Sequence, residues 1–374
     1  MEFYMDQGKS NVGFYYPSNF YYISSLVKTK GENEMKKVML ISMISLFLLV
    51  ATACSGGSGK KTTATKDDPI VIKFSHVTSI DSVKGKAAER FAELVKEKTE
   101  GKAKVEVYPS SQLYGDNDEL DALVSGNVHM IAPSVTKMVK LDPRWQYVDM
   151  PYLFKDQEHV HKFFNSDVAK TLLNSDKLAA NDVMGIAFWE NGFKHFTNNK
   201  RPLKKPEDFK GIKFRAQAGK VLEAQFKALG AGSATIAFGE TYAALQQGTV
   251  DGQENTYNNI DTQKYQEVQK YMSLSEHGRL DYAVFVNKTF WDGMPEDIRT
   301  KVEEAMKEAT ELEWKLAGEE NEKSLENIKN SGKVEVISLT DDEKAALAKA
   351  LQPVYDEFGD TITSELIDGI RNLK

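Results

Sequence analysis

From Ile70 onward the chain alternates two kinds of apolar spacing. The run "IVIKFSH" is densely apolar, as a strand buried on both faces is, and "SVKGKAAERFAELVKEKT" places Ala88, Phe91, Ala92 and Val95 at helical intervals. "KVEVYP" follows as a strand, "DNDELDALVSG" as a helix stopped by Gly126, and "VHMIAPS" as a third strand. This β-α-β-α-β order predicts a largely parallel sheet with helices on its faces. Such sheets bind ligands beyond the carboxyl ends of their strands, which here carry His76 to Ser79, Pro109 to Gln112 and Pro133 to Thr136.

A second alternation opens at "VMGIAFWENGFKHFTN". It continues through the strand "IKFRAQ", the helix "KVLEAQFKALGA", the short strand "SATI", the helix "GETYAALQQG" and the turn "DGQEN", in which Asp251 and Gly252 read as turn residues. The strand "YAVFVN" precedes a long charged helix from about Pro295 to about Asn330, with Ile298, Val302, Met306, Ala309 and Ala317 along one side. "VEVISL" and two amphipathic helices close the chain. The pattern predicts two α/β lobes: residues 69–191 plus 281–320, and residues 192–280 plus 321–374.

The N-terminal region follows different rules. "MKKVMLISMISLFLLVATAC" begins with two lysines, runs through an apolar stretch too short for a comfortable membrane span, and ends in small residues before Cys54. Residues 35–53 therefore read as a secretory signal, with an uncleaved N-terminal anchor as the alternative. "VATAC" resembles the bacterial lipobox, with Ala51 in place of the usual leucine, which makes Cys54 the expected lipidated residue. Residues 54–68 have the Gly, Ser, Thr and Lys composition of a flexible tether. Residues 1–34 are aromatic-rich and without period, and Lys30-Gly31-Glu32 can be encoded by a purine-rich ribosome-binding run, so translation is expected to start at Met35.

Composition narrows the function. The net charge is −7, with Lys and Arg scattered, which argues against a nucleic-acid surface but not against a local pocket for a small anion. Cys54 is the single cysteine, so no internal disulfide or cysteine-based zinc site is expected. No G-x-S-x-G elbow, Walker loop or H-E-x-x-H motif occurs. His159 and His161 are two apart, share no helical face and read as surface residues rather than metal ligands. No enzyme activity, cofactor or metal is expected. Two lobes, an outward-facing lipid tether and no catalytic signature suggest a hinged solute-binding protein.

The candidate chemistry centres on "GIKFRAQAGK", where Arg215 ends a short strand ahead of a helix. A lone arginine there is most simply a solvated charge. The longer context changes that reading: "YPSSQLYGDNDEL", "YAALQQGTVDGQENTYNNI" and "YQEVQKYMSLSEHG" are extended and specific. From Ile70 to the C-terminus the chain resembles the extracytoplasmic solute receptors of tripartite ATP-independent periplasmic (TRAP) transporters, the DctP family, of the type that binds four-carbon dicarboxylates.

The resemblance implies a two-lobed, periplasmic-binding-protein-like (Venus flytrap) α/β fold with a hinge built partly from the long helix. It implies capture of a small organic acid such as succinate, malate or fumarate between the lobes and delivery to TRAP permease subunits. Arg215 would grip a substrate carboxylate, because a guanidinium presents parallel N–H donors that match both carboxylate oxygens. Asn255, in "DGQEN", would reach the ligand with an amide that can donate and accept. Lys194, in "NGFKHF", would supply a second cation, with His195 as the alternative at that position. Phe238 would line the cleft, and Ser134, His76 and Thr78 would face it from the first lobe, with Gln112 and Asp116 as weaker candidates. The implied location is the outer face of the cytoplasmic membrane, lipid-anchored, as a monomer. Two alternatives stay open: a sensory co-receptor for a membrane histidine kinase, and another organic acid such as a sialic acid or a 2-oxo acid.

Overall fold

The structure is a computed structural model that describes residues 64–373. The expected signal, the lipidation site Cys54 and most of the tether lie outside the described residues.

Two sheets form two halves. The first has the strand order β2 (Ala103–Tyr108), β1 (Ile70–Ser75), β3 (Met130–Ile131), β10 (Arg279–Asn287) and β4 (Val183–Phe193). The second has the order β11 (Glu335–Ser338), β9 (Tyr271–Leu274), β5 (His195–Asn198), β8 (Gly252–Asn255), β6 (Lys213–Ala216) and β7 (Gly232–Thr235). The expected α/β lobes are present, but the first sheet is mixed rather than largely parallel. β1 pairs in parallel with β2 and β3, whereas β10 runs antiparallel to both β3 and β4. β4 carries the chain out of the first half and β10 brings it back, and a returning neighbour must run the other way.

The helix Val83–Lys98 covers the first sheet. Ser82 caps it by accepting a hydrogen bond from Gly85 N, and Ala87, Ala88, Phe91, Leu94 and Val95 are buried, while Ala92 is only half-buried. The long helix spans Glu296–Asn330, 35 residues and roughly 50 Å at 1.5 Å per residue. Ile298, Val302, Met306, Ala309 and Ala317 are buried along it as the pattern predicts. It packs on helix Val83–Lys98 and β4 at one end and on helix Tyr257–Thr262 at the other, so it ties the halves together. The chain crosses between the sheets at Lys194, whose N–H donates to Gly278 O at 2.9 Å on the returning segment.

Three features depart from the pattern. Three helices, not two, close the chain: Asp341–Ala350, Gln352–Ile362 and Ser364–Arg371, the second break falling at Thr363 with φ +76°. They touch both halves, since Tyr355 Oη donates to Pro151 O at 2.8 Å while Gln352–Ile362 also packs on helix Lys220–Ala228. His159 is not a surface residue. It is buried, with Nε2 2.8 Å from Ile370 O, because its helix is covered by the C-terminal one. His161 is partly exposed, 2.7 Å from Glu190 Oε2 and stacked on Trp314.

Gly252 is the third departure. It lies within β8 rather than in a turn, and a Cβ there would sit 2.3 Å from Thr197 O and 2.9 Å from Phe214 Cε1. The glycine is needed for close approach of two strands. Gly252→Ala is expected to destabilise the protein by about 1–3 kcal/mol through overpacking, read as a fall in the melting temperature by calorimetry.

Candidate ligand-binding site

Arg215 and Asn255 come from adjacent parallel strands of the second sheet. Arg215 pairs with Gln253, so Arg215 and Asn255, two residues further along, project from the same face. Arg215 is 2% exposed; its Nε donates to Ile236 O at 2.9 Å, and its Nη2 is buried with no partner among the described residues. Asn255 is fully buried. Its Oδ1 accepts from Asn259 Nδ2 at 2.7 Å and Thr256 N at 3.2 Å, and its Nδ2 is buried without a partner among the described residues. Leaving a donor unmatched costs about 1–3 kcal/mol, so two on one face point to an acceptor supplied from outside the chain. Tyr265 stands beside them, its phenol pushed up to about 12 by burial, with Arg215 opposing the shift and Asp116 adding to it.

The segment after Arg215 is held by the other half. Gly219, at φ +85°, offers the helix Lys220–Ala228 no capping side chain, and Gln146 Oε1 accepts from Lys220 N at 2.9 Å and Val221 N at 3.3 Å instead. Gln225 Nε2 adds a bond to Asp149 O at 2.6 Å.

The first half presents a cation that the sequence reading passed over. Lys84 is 1% exposed in the first turn of helix Val83–Lys98; its Nζ donates to Ala132 O at 2.7 Å and lies 3.8 Å over the Tyr282 ring. Burial draws its pKa down to about 8, against Glu119, Asp116 and Glu313, so it remains largely charged at neutral pH. Burial pushes the Glu119 carboxyl upward, against Lys84, and neither of its oxygens has a partner among the described residues. The Tyr282 hydroxyl, on the ring that Lys84 covers, accepts from Asn259 Nδ2 at 3.5 Å, the amide that also holds Asn255.

His76 and Thr78 follow β1. His76 is fully buried, with Nδ1 3.3 Å from Thr78 Oγ1 and Nε2 unpartnered. Burial first, then Lys84, lowers its pKa to about 3, so it is neutral in the fold. Thr78 Oγ1 accepts from Ser82 Oγ at 2.9 Å, which ties Thr78 to the helix cap. A lowered histidine pKa leaves stability unaffected above the unfolded value of 6.5. As pH falls from there toward about 3, the unfolded chain takes up a proton that the fold refuses. The slope is at most about 1.4 kcal/mol per pH unit for this one group. Urea unfolding at pH 7 and pH 5 is expected to show a smaller acid loss in His76→Asn than in the parent.

The remaining candidates are distributed differently. Lys194 is buried with its charge already answered: Nζ lies 2.6 Å from Glu254 Oε1 and 3.1 Å from Asp149 Oδ1, and Glu254 Oε2 is 2.6 Å from His277 Nε2. It serves a network at the crossover. His195 is buried and stacked on Tyr257, its pKa far below the usual value through burial. Phe238 is 6% exposed, and its N–H donates to Asp116 Oδ2 at 3.0 Å on the other half. Ser134 Oγ donates to Gln217 Oε1 at 3.3 Å, also across the halves. Gln112 is exposed.

Two lobes joined by two strand crossings and a long helix define a hinged solute-binding protein. The chain belongs to bacterial extracellular solute-binding protein family 7 (DctP), whose family model matches residues 74–361. It is similar to the C4-dicarboxylate-binding periplasmic protein DctP of Rhodobacter capsulatus, 49% identical over 81% of this chain and 91% of that one. It is also similar to the C4-dicarboxylate-binding protein DctB of Bacillus subtilis (strain 168), 41% identical over 82% and 87%. Among solved structures, a TRAP periplasmic solute-binding protein from Shewanella oneidensis with bound succinate matches with a TM-score of 0.79 and 38% identity, covering 81% of this chain and 98% of that one. One from Pseudomonas aeruginosa PAO1 with bound L-malate matches at 0.75 and 40% identity, covering 77% and 100%.

Proposed function

We propose that this protein captures a four-carbon dicarboxylate between its lobes and delivers it to a TRAP membrane permease, without chemical turnover. The observation that carries this reading is a buried cation on each lobe. Arg215 Nη2 and Asn255 Nδ2 of one lobe have no partner among the described residues, and Lys84 of the other, bonded to Ala132 O, is 1% exposed. A dianion has two ends, and a cation on each lobe answers both while drawing the lobes together. Hydrogen bonds to charged groups contribute roughly 1.5–3 kcal/mol each. A few of them offset the freedom lost on capture, and a micromolar affinity corresponds to about 8 kcal/mol. The dicarboxylate-binding relatives and the succinate- and malate-bound neighbours support the same ligand class.

On this reading Phe238 and Ser134 close the cleft, while Lys194 and Thr78 support it from behind. The protein works as a monomer outside the cytoplasmic membrane, held there by a lipid on Cys54 after removal of residues 35–53. A thermal-shift screen of organic acids tests the ligand class. Succinate, malate and fumarate should raise the melting temperature with occupancy, and a response confined to monocarboxylates or sugar acids would contradict the reading.

A further inference from the structure

Arg215 is bracketed by two hydrogen bonds that cross the cleft. Gln217, two residues after it, accepts from Ser134 Oγ at 3.3 Å. On the other side, Ile236 O holds the Arg215 Nε at 2.9 Å, and two residues beyond Ile236 the Phe238 N–H donates to Asp116 Oδ2 at 3.0 Å. Ser134 and Asp116 both belong to the first lobe; Gln217, Ile236 and Phe238 belong to the second. The same Asp116 oxygen lies 2.9 Å from Lys137 Nζ, and the two side chains are 4% and 10% exposed. Lys137 lies in the turn Val135–Lys140 that directly follows Ser134, so one patch of the first lobe reaches both segments that position the guanidinium.

A free carboxylate beside an anion site would repel the ligand. Asp116 avoids this because its charge is matched by Lys137 and its oxygen is taken by a backbone amide. We infer that Asp116, held by Lys137, is the clasp of the closed state. It is a positioning residue that docks the Phe238 amide, fixes the Ile236 carbonyl and with it the Arg215 fork, and so sets how long a ligand stays. The inference rests on the dicarboxylate reading above. A clasp formed after encounter acts on the dissociation rate, and it does so equally for every ligand the cleft closes upon.

Stopped-flow binding of succinate, L-malate and fumarate to Asp116→Ala tests this, with Asp116→Asn as the milder variant that keeps an acceptor for the Phe238 N–H. Asp116→Ala is expected to raise the dissociation rate at least about tenfold, the scale of one charge-assisted hydrogen bond. The factor should be the same for the three ligands, the association rate should stay within about twofold, and Asp116→Asn should recover part of the loss. Thermal unfolding of the ligand-free variants separates a clasp from a folding defect, since Asp116→Asn, which loses its pairing with Lys137, should melt lower than the parent yet still in one cooperative transition, and release ligand faster well below that transition. Factors that differ between ligands would make Asp116 a direct contact, and an unchanged dissociation rate in both variants would remove its role; either result overturns the clasp alone. Failure of the parent protein to bind any of the three acids would overturn the functional reading, and the clasp with it.

Discussion

Arg215→Ala is expected to weaken succinate binding by at least about 3 kcal/mol, a loss of a hundredfold or more in affinity. Two costs combine in this figure. The ligand carboxylate loses its bidentate partner, and an anion drawn into a 2%-exposed site is left without the charge that compensates its desolvation. Arg215→Lys should recover only a fraction, because lysine restores the charge and not the fork. The Ile236 carbonyl would also lose the donor that fixes the arginine in place. Isothermal titration calorimetry reads both variants directly. Near-parental affinity in Arg215→Ala would refute the role given to this residue.

The second large effect is expected at Lys84. Lys84→Met keeps an unbranched side chain over the Tyr282 ring and removes the charge. Dicarboxylates should bind about 2–3 kcal/mol more weakly, whereas a monocarboxylate of the same chain length, which places no charge at the first lobe, should change by less than about 1.4 kcal/mol. The preference for two acid groups over one therefore collapses in this variant. A pH series gives the same residue a second signature. Ligand binding favours the protonated ammonium, so affinity should be full below about pH 8 and fall above it as the free protein loses that proton. Competition calorimetry with succinate and butyrate checks the first point. Equal losses for the two ligands would mean that Lys84 acts only on packing.

The contrast between these two residues explains what the sequence made legible. Arg215 and Asn255 sit in long, specific motifs at strand ends, and the strand register then places them on one face. Lys84 carried a local signal that was available. It occupies the first position of the stripe Lys84, Ala87, Ala88, Phe91 and Val95, all buried, so a lysine stands where helical spacing calls for an apolar residue. Lys194 offered no such clue. Its carboxylate partners, Asp149 and Glu254, lie 45 and 60 residues away, and only the folded crossover brings them to its ammonium.

The same distinction holds for the fold. The helix Glu296–Asn330 was readable because its buried positions recur every three or four residues from Ile298 to Ala317. The direction of β10 was not readable, since alternation within a strand carries no information about where the chain has been in the meantime. Gly252 shows the limit of residue-type rules. Glycine after aspartate suggests a turn, but here it marks the place where the Thr197 carbonyl comes too close for any side chain.

A crystal structure of the succinate complex is the most direct test of the central claim, that a cation from each lobe holds one end of a dicarboxylate. One carboxylate should stand in two-pronged contact with the Arg215 guanidinium and within reach of Asn255 Nδ2, and the other next to Lys84 Nζ. Succinate bound with both carboxylates on a single lobe, or with Arg215 turned away from it, would contradict the account.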